Sequence, residues 1–250
     1  MTEKKTNRGI YLLPSILPTF GMFAGFYSII ASINGDYTLA AISIMVAMLW
    51  DTLDGRVARL TNTQSDFGAE YDSLADLVSF GMAPALLVYE WSLSDLGRIG
   101  WLAAFLFLAC AALRLARFNT QVGISEKRYF QGLPSPAAAG VIASMIWLKF
   151  WNFEYFYGIA AFSYYIGVGI TIICALLMVS NVRYYSFKEF DSKKASFRFL
   201  LAIILGIIVL LSRPNIFLFT GFFLYMLSGP FITIMGLNKK RIEKKQIKSS

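Results

Sequence analysis

The sequence predicts an all-α protein, a polytopic transmembrane bundle of about eight helices with both termini on the cytoplasmic side. Three observations carry that prediction. Apolar runs of spanning length recur from one end of the chain to the other. Charged residues make up only 15% of the 250 residues, against about a quarter in a soluble domain, and mean hydropathy is +0.58. The Lys and Arg residues that are present gather at alternate ends of the apolar runs. No second compositional regime interrupts the pattern, so residues 1–250 read as one membrane domain with short polar ends.

The apolar stretches fall at 11–33, 37–59, 68–92, 98–118, 135–152, 156–179, 197–212 and 215–236. A spanning helix takes about 20 apolar residues, which makes 197–212 the most marginal. Pro214 marks a tight turn before the last stretch. The start, MTEKKTNRGIYLLPSILPTF, superficially resembles a secretory leader, with basic residues ahead of an apolar run. Pro14 and Pro18 interrupt that run, no small-residue cleavage site follows and the apolar character continues to Ile33, so a retained first membrane segment is expected.

Charge placement orders the bundle. With both ends inside, the predicted inner regions hold every Lys and Arg of the 23 except Arg98, Lys149 and Arg213, a strong positive-inside asymmetry. Trp91, Trp101, Trp147 and Trp151 fall at the outer ends, as an interfacial aromatic belt does. The net charge of +8 is this same bias and implies no nucleic-acid partner. The basic tail 238–250, NKKRIEKKQIKSS, reads as a solvated anchor near anionic lipid headgroups.

Two cysteines, Cys110 and Cys174, lie inside apolar segments and read as small core residues. Histidine is absent, which removes imidazole bases, His-ligated zinc and Ser-His-Asp triads. Chemistry here must use carboxylates, amines, hydroxyls or a metal held by oxygen.

One group of acidic residues stands apart from the loops. Asp51 and Asp54 are three apart near the end of the second segment; Asp72 and Asp76 are four apart at the start of the third. Each pair shares a helix face, and the short polar turn LTNTQSDF makes the two helices antiparallel neighbours, so the four carboxylates converge near the cytoplasmic surface. Four bare charges so close repel one another and are costly to desolvate. Protonation or divalent cations relieve this. An all-oxygen donor set suits Mg²⁺, Mn²⁺ or Ca²⁺; two ions would neutralise four charges, and a paired-metal site clamps a diphosphate. Gly55, Ala58 and Gly68 leave room beside the acidic faces for a ligand to approach the backbone, or simply allow close helix packing. Arg59 either pairs with a phosphate or sits at the interface as a positive-inside charge.

The spacing D-x2-D-G-x2-A-R-x8-G-x3-D-x3-D over residues 51–76 resembles the signature of the CDP-alcohol phosphatidyltransferase family and matches it at all eight fixed positions. The resemblance implies that Asp51, Asp54 and Asp72 hold the metal that binds a CDP diphosphate and that Asp76 is the general base, itself close to the metal. It implies that Gly55, Ala58, Arg59 and Gly68 line the CDP pocket. It also implies a homodimer in the cell membrane, with CDP-diacylglycerol entering sideways from the bilayer among other membrane lipids.

The stretches Arg114-Leu-Ala-Arg117-Phe-Asn119 and Tyr129-Phe-Gln-Gly132-Leu-Pro134-Ser-Pro136 are similar to those of the membrane-integral bacterial phosphatidylserine synthases within that family. For L-serine as acceptor, Arg114, Arg117 and Asn119 can donate to the carboxylate, and the turn at Gly132 can offer backbone carbonyls to the ammonium. The same residues are equally explained as inner-side charges and loop formers. Other acceptors in the family, glycerol 3-phosphate or an inositol phosphate, would call for a denser cationic pocket. A cation transporter also carries intramembrane carboxylates, but these are bunched near one surface, without matching helix breaks in two halves. A membrane prenyltransferase shares aspartate-rich helices with a different spacing.

Overall fold

The computed structural model of the protein describes residues 13–61, 65–120, 129–152, 160–185 and 211–249, with 201, 204–206 and 208. Helix α1 (Leu13–Ile33) is followed by α2 (Tyr37–Thr61). A long rod over Asp66–Leu96 comes next: α3 (Asp66–Asp76), a π-helical turn Leu77–Met82, α4 (Ala83–Val88), a second π turn Tyr89–Leu93 and a 3₁₀ turn Ser94–Leu96. Then come α5 (Arg98–Thr120), β1 (Tyr129–Gln131), α6 (Ser135–Asn152), α7 (Ala160–Val179), β2 (Arg183–Tyr185) and α8 (Pro214–Ser249). Among the described residues, five helical stretches are long and apolar enough to cross a membrane: Ile16–Ile33, Tyr37–Val57, Asp66–Leu96, Arg98–Thr120 and Pro214–Met235. Shorter apolar helices cover Ser135–Leu148 and Tyr165–Val179. The chain is thus the predominantly helical polytopic bundle that its hydropathy predicts. Within the predicted seventh stretch, the described residues are helical.

The outside of the bundle is apolar, with Phe23, Leu49, Trp101 and Leu113 exposed, as lipid contact requires. Inside, close packing relies on small residues, since lipid tails give no hydrophobic drive for helices to associate. Gly25 of α1 lies so near the rod that a Cβ would come 2.6 Å from Ser79 Cα, and Ser79 Oγ donates to Gly21 O at 3.1 Å. Ser28 Oγ ties α1 to α2 through Ala40 O at 2.8 Å, above a wholly buried run of Ala40, Ala41, Ile44 and Ala47. A turn through Gly35, at φ +82°, reverses the chain between them.

Three features depart from the sequence reading. First, α2 and α3 do not simply pack side by side. Helix α1 lies along α2 and also against α3, while α2 meets the rod mainly beyond Asp76, at Leu77–Met82 and Ala83–Val88. Second, β1 and β2 form a short antiparallel ribbon, pairing Tyr129 with Tyr185, Phe130 with Tyr184 and Gln131 with Arg183. Tyr184 is fully buried against Gly229 of α8 and donates to Met226 O at 2.9 Å. Tyr225 Oη reaches Tyr185 O at 3.2 Å. Third, α8 does not stop at 236 but runs to Ser249. Pro214 starts it, with φ preset for a first helical turn, and Lys, Arg, Glu and Gln in the basic tail are good helix formers.

Candidate active site

The carboxylate-bearing stretch of α2 meets the C-terminal half of α3, and the last turns of α5 tie to the start of α6 through Arg114 and to the end of α7 through Arg117. Helix α3 opens on Ser65, whose Oγ accepts a hydrogen bond from Gly68 N at 3.0 Å, an N-cap that satisfies an otherwise orphaned donor. A Cβ at Gly68 would come 3.1 Å from that oxygen. Asp72 and Asp76 follow one turn apart, and the α-helix gives way to the π turn directly after Asp76. Such turns shift the face that later residues present and are common at functional sites.

One oxygen each from Asp51, Asp72 and Asp76 lies within 4.8 Å of the others. For each pair of ionised carboxylates at that separation, repulsion is at least about 3 kcal/mol at an effective dielectric near 20. Asp54 is not in this triplet. It is buried, at 7% exposure, with Oδ1 lacking any hydrogen-bond partner among the described residues, and it lies in Coulomb range of both Asp72 and Asp76. A shut-in acceptor beside three converging carboxylate oxygens, in a chain without histidine, fits a hard divalent cation.

A Cβ on Gly55, one residue beyond Asp54, would meet nothing within 4 Å among the described residues. The side chains of Ala58 and Arg59 lie outside the described residues.

The residues expected around the acceptor divide into two groups. Arg114, on α5, faces the carboxylates, with Asp76 and Asp51 in Coulomb range, and its Nη1 donates to Ser135 Oγ at 2.8 Å. Arg117, one turn on, points elsewhere. Its Nη1 donates to Val179 O at 3.0 Å, and its Nη2 to Gln131 O at 2.9 Å and to Met178 O and Ser180 O at 3.3 Å. This guanidinium gathers the orphan carbonyls at the end of α7 and takes the carbonyl at the start of the Gly132 turn. Gly132 itself is buried at φ +78°, packed onto Met178 O and Arg117 Nη2, and its N–H donates to Val182 O at 2.8 Å. Asn119 Nδ2 donates to Ser73 Oγ at 3.0 Å, joining α5 to α3 beside Asp72.

Sequence reasoning missed Ser135. The apolar stretch 135–152 began at this residue without giving it a role; Ser135 is the fully buried first residue of α6. A hydroxyl between two prolines, just ahead of an Ala-rich apolar run, was the available signal.

The family model described as CDP-alcohol phosphatidyltransferase matches residues 11–173. A protein of Helicobacter pylori (strain J99) named CDP-diacylglycerol–serine O-phosphatidyltransferase is 38% identical over 180 residues, 72% of this chain and 74% of the relative. Archaetidylserine synthase of Methanothermobacter thermautotrophicus is 37% identical over 186 residues, 74% of this chain and 73% of its own. A CDP-diacylglycerol–serine O-phosphatidyltransferase of Methanocaldococcus jannaschii is 43% identical over 141 residues, 56% of this chain and 61% of that one.

Proposed function

The chain belongs to the CDP-alcohol phosphatidyltransferase family, and from that premise we propose that it transfers the phosphatidyl group of CDP-diacylglycerol to the hydroxyl of L-serine, releasing CMP. The observation that carries this reading is the meeting of Asp51, Asp72 and Asp76 with Asp54 buried beside them, together with relatives named for transfer to serine across most of their length.

The four aspartates would hold divalent metal, Mg²⁺ or Mn²⁺, which would offset the charge of the diphosphate and stabilise the leaving oxygen. Gly55 and Gly68, with Ala58 and Arg59, line the CDP pocket; the open space at Gly55 supports this. Asp76 takes the proton of the serine hydroxyl as that oxygen forms a bond to the lipid-side phosphorus. The bond from that phosphorus to the bridging diphosphate oxygen breaks, and the electron pair leaves with CMP. Arg114 receives the serine carboxylate, and Asn119 keeps α5 and α3 in register beside Asp72. Residues 1–250 act as one domain, since α8 packs on α6 and on β2. The site works at the cytoplasmic side of the cell membrane, where the Lys and Arg bias puts these helix ends, and the protein is a homodimer as its family implies.

The test is CMP release by the purified chain, supplied with CDP-diacylglycerol and, in turn, serine, glycerol 3-phosphate or an inositol phosphate, before and after chelation. Serine-dependent release, lost with chelator and restored by Mg²⁺ or Mn²⁺, is expected. Release driven by a phosphorylated acceptor, or indifference to chelator, overturns the reading.

A further inference from the structure

Arg114 presents an unusual set of donors. Its Nη1 is committed to Ser135 Oγ at 2.8 Å, and Ser135 is fully buried in the first turn of α6. Its Nε is buried with no partner among the described residues, and no hydrogen bond from Nη2 is found there either. A guanidinium binds a carboxylate through two parallel N–H donors along one edge. With one end held by Ser135, the edge formed by Nε and Nη2 is the one left for a ligand. A buried donor left unpaired is costly, and a ligand carboxylate on this edge would relieve that cost.

The neighbourhood narrows what that is. Asp76, in Coulomb range of the same guanidinium, is the base of the proposed transfer. Serine is short, and its carboxylate and hydroxyl sit on adjacent carbons. Its two ends can be taken only by groups that are themselves near neighbours, as Arg114 and Asp76 are. We infer that Ser135 is a positioning residue for acceptor recognition, turning Arg114 so that its Nε–Nη2 edge receives the serine carboxylate in two-point fashion while Asp76 meets the hydroxyl. The inference rests on the proposed serine transfer and deepens it: selectivity for an amino acid over a phosphorylated alcohol comes from one oriented fork rather than from a dense cationic pocket. Arg117 is excluded from this role because its terminal nitrogens are occupied by backbone carbonyls.

The experiment uses the full chain in detergent or nanodiscs, with CDP-diacylglycerol and a saturating divalent ion. Ser135→Ala removes the hydroxyl and keeps a good helix former at that position. The expected result is a rise of about 10-fold in KM for serine, with KM for CDP-diacylglycerol and Tm close to the parent values. Arg114→Lys keeps the charge but loses the fork, and should raise serine KM further. The decisive reading is the double variant. If Ser135 acts through Arg114, Ser135→Ala adds nothing to Arg114→Lys, because the two share one interaction. A serine KM unchanged by Ser135→Ala, an equal rise for both substrates, or additive effects in the double variant would overturn the assignment while leaving serine transfer standing. A parent protein with no serine-dependent CMP release would remove the proposed function and this inference with it.

Discussion

Gly55→Ala separates the ligand role of the motif from its packing role, because the two predict opposite outcomes. Gly55 lies inside α2, which continues to Thr61, and a Cβ there meets nothing within 4 Å among the described residues. With no packing penalty, the change gains only helix propensity, about 1 kcal/mol, or a Tm rise of about 2–4 °C for a chain of this size. For catalysis the new methyl stands where the proposed CDP ligand approaches the backbone. An intruding methyl in a close-packed contact costs about 1–3 kcal/mol, equivalent to a loss of about 5- to 150-fold in kcat/KM. Thermal unfolding in detergent and CMP release as a function of CDP-diacylglycerol concentration measure both quantities on one preparation. A more stable protein with a weakened CDP-lipid KM is expected. A raised Tm with unaltered kinetics would mean that Gly55 lines no ligand. A lowered Tm would mean that the position is packed rather than open.

Two further outcomes follow from the geometry. Asp76→Asn should abolish turnover, by 100-fold or more as for loss of a general base, while metal-dependent retention of CDP-diacylglycerol persists in a binding assay; near-normal rates would remove the base assignment. Gly132→Ala should destabilise the protein by about 2–5 kcal/mol, combining the left-handed backbone penalty with overpacking against Met178 O and Arg117 Nη2; a Tm within about 2 °C of the parent would show that the turn relaxes freely.

The spans were legible because a bilayer imposes length and apolarity on each segment independently of its neighbours, and α1, α2 and α5 start and stop close to where hydropathy says. The carboxylate cluster was legible for a similar reason: spacings of three and four fix a helix face whatever the tertiary context. What the sequence hid was non-local. Three-residue strands carry too little periodicity to be seen, and the β1–β2 pairing joins Tyr129 to Tyr185 across two intervening helices. The use of Arg117 was hidden as well. Nothing in Arg114-Leu-Ala-Arg117 says which guanidinium faces the aspartates and which caps α7, since one helical turn apart they differ only in their neighbours. The length of α8 was misjudged because a polar composition was taken as the end of a helix, when only the end of a span was implied.

Helix α1 bears no charged residue, yet it lies along α2 and against α3 and is fastened to the acidic helix by Thr19 and Tyr71, hydroxyl to hydroxyl at 2.8 Å. It braces both helices that carry the aspartates. The amino end is therefore not neutral ground for protein engineering. A tag or truncation that tilts this first helix changes the bite of the site far downstream, and a catalytic defect can arise with every aspartate intact.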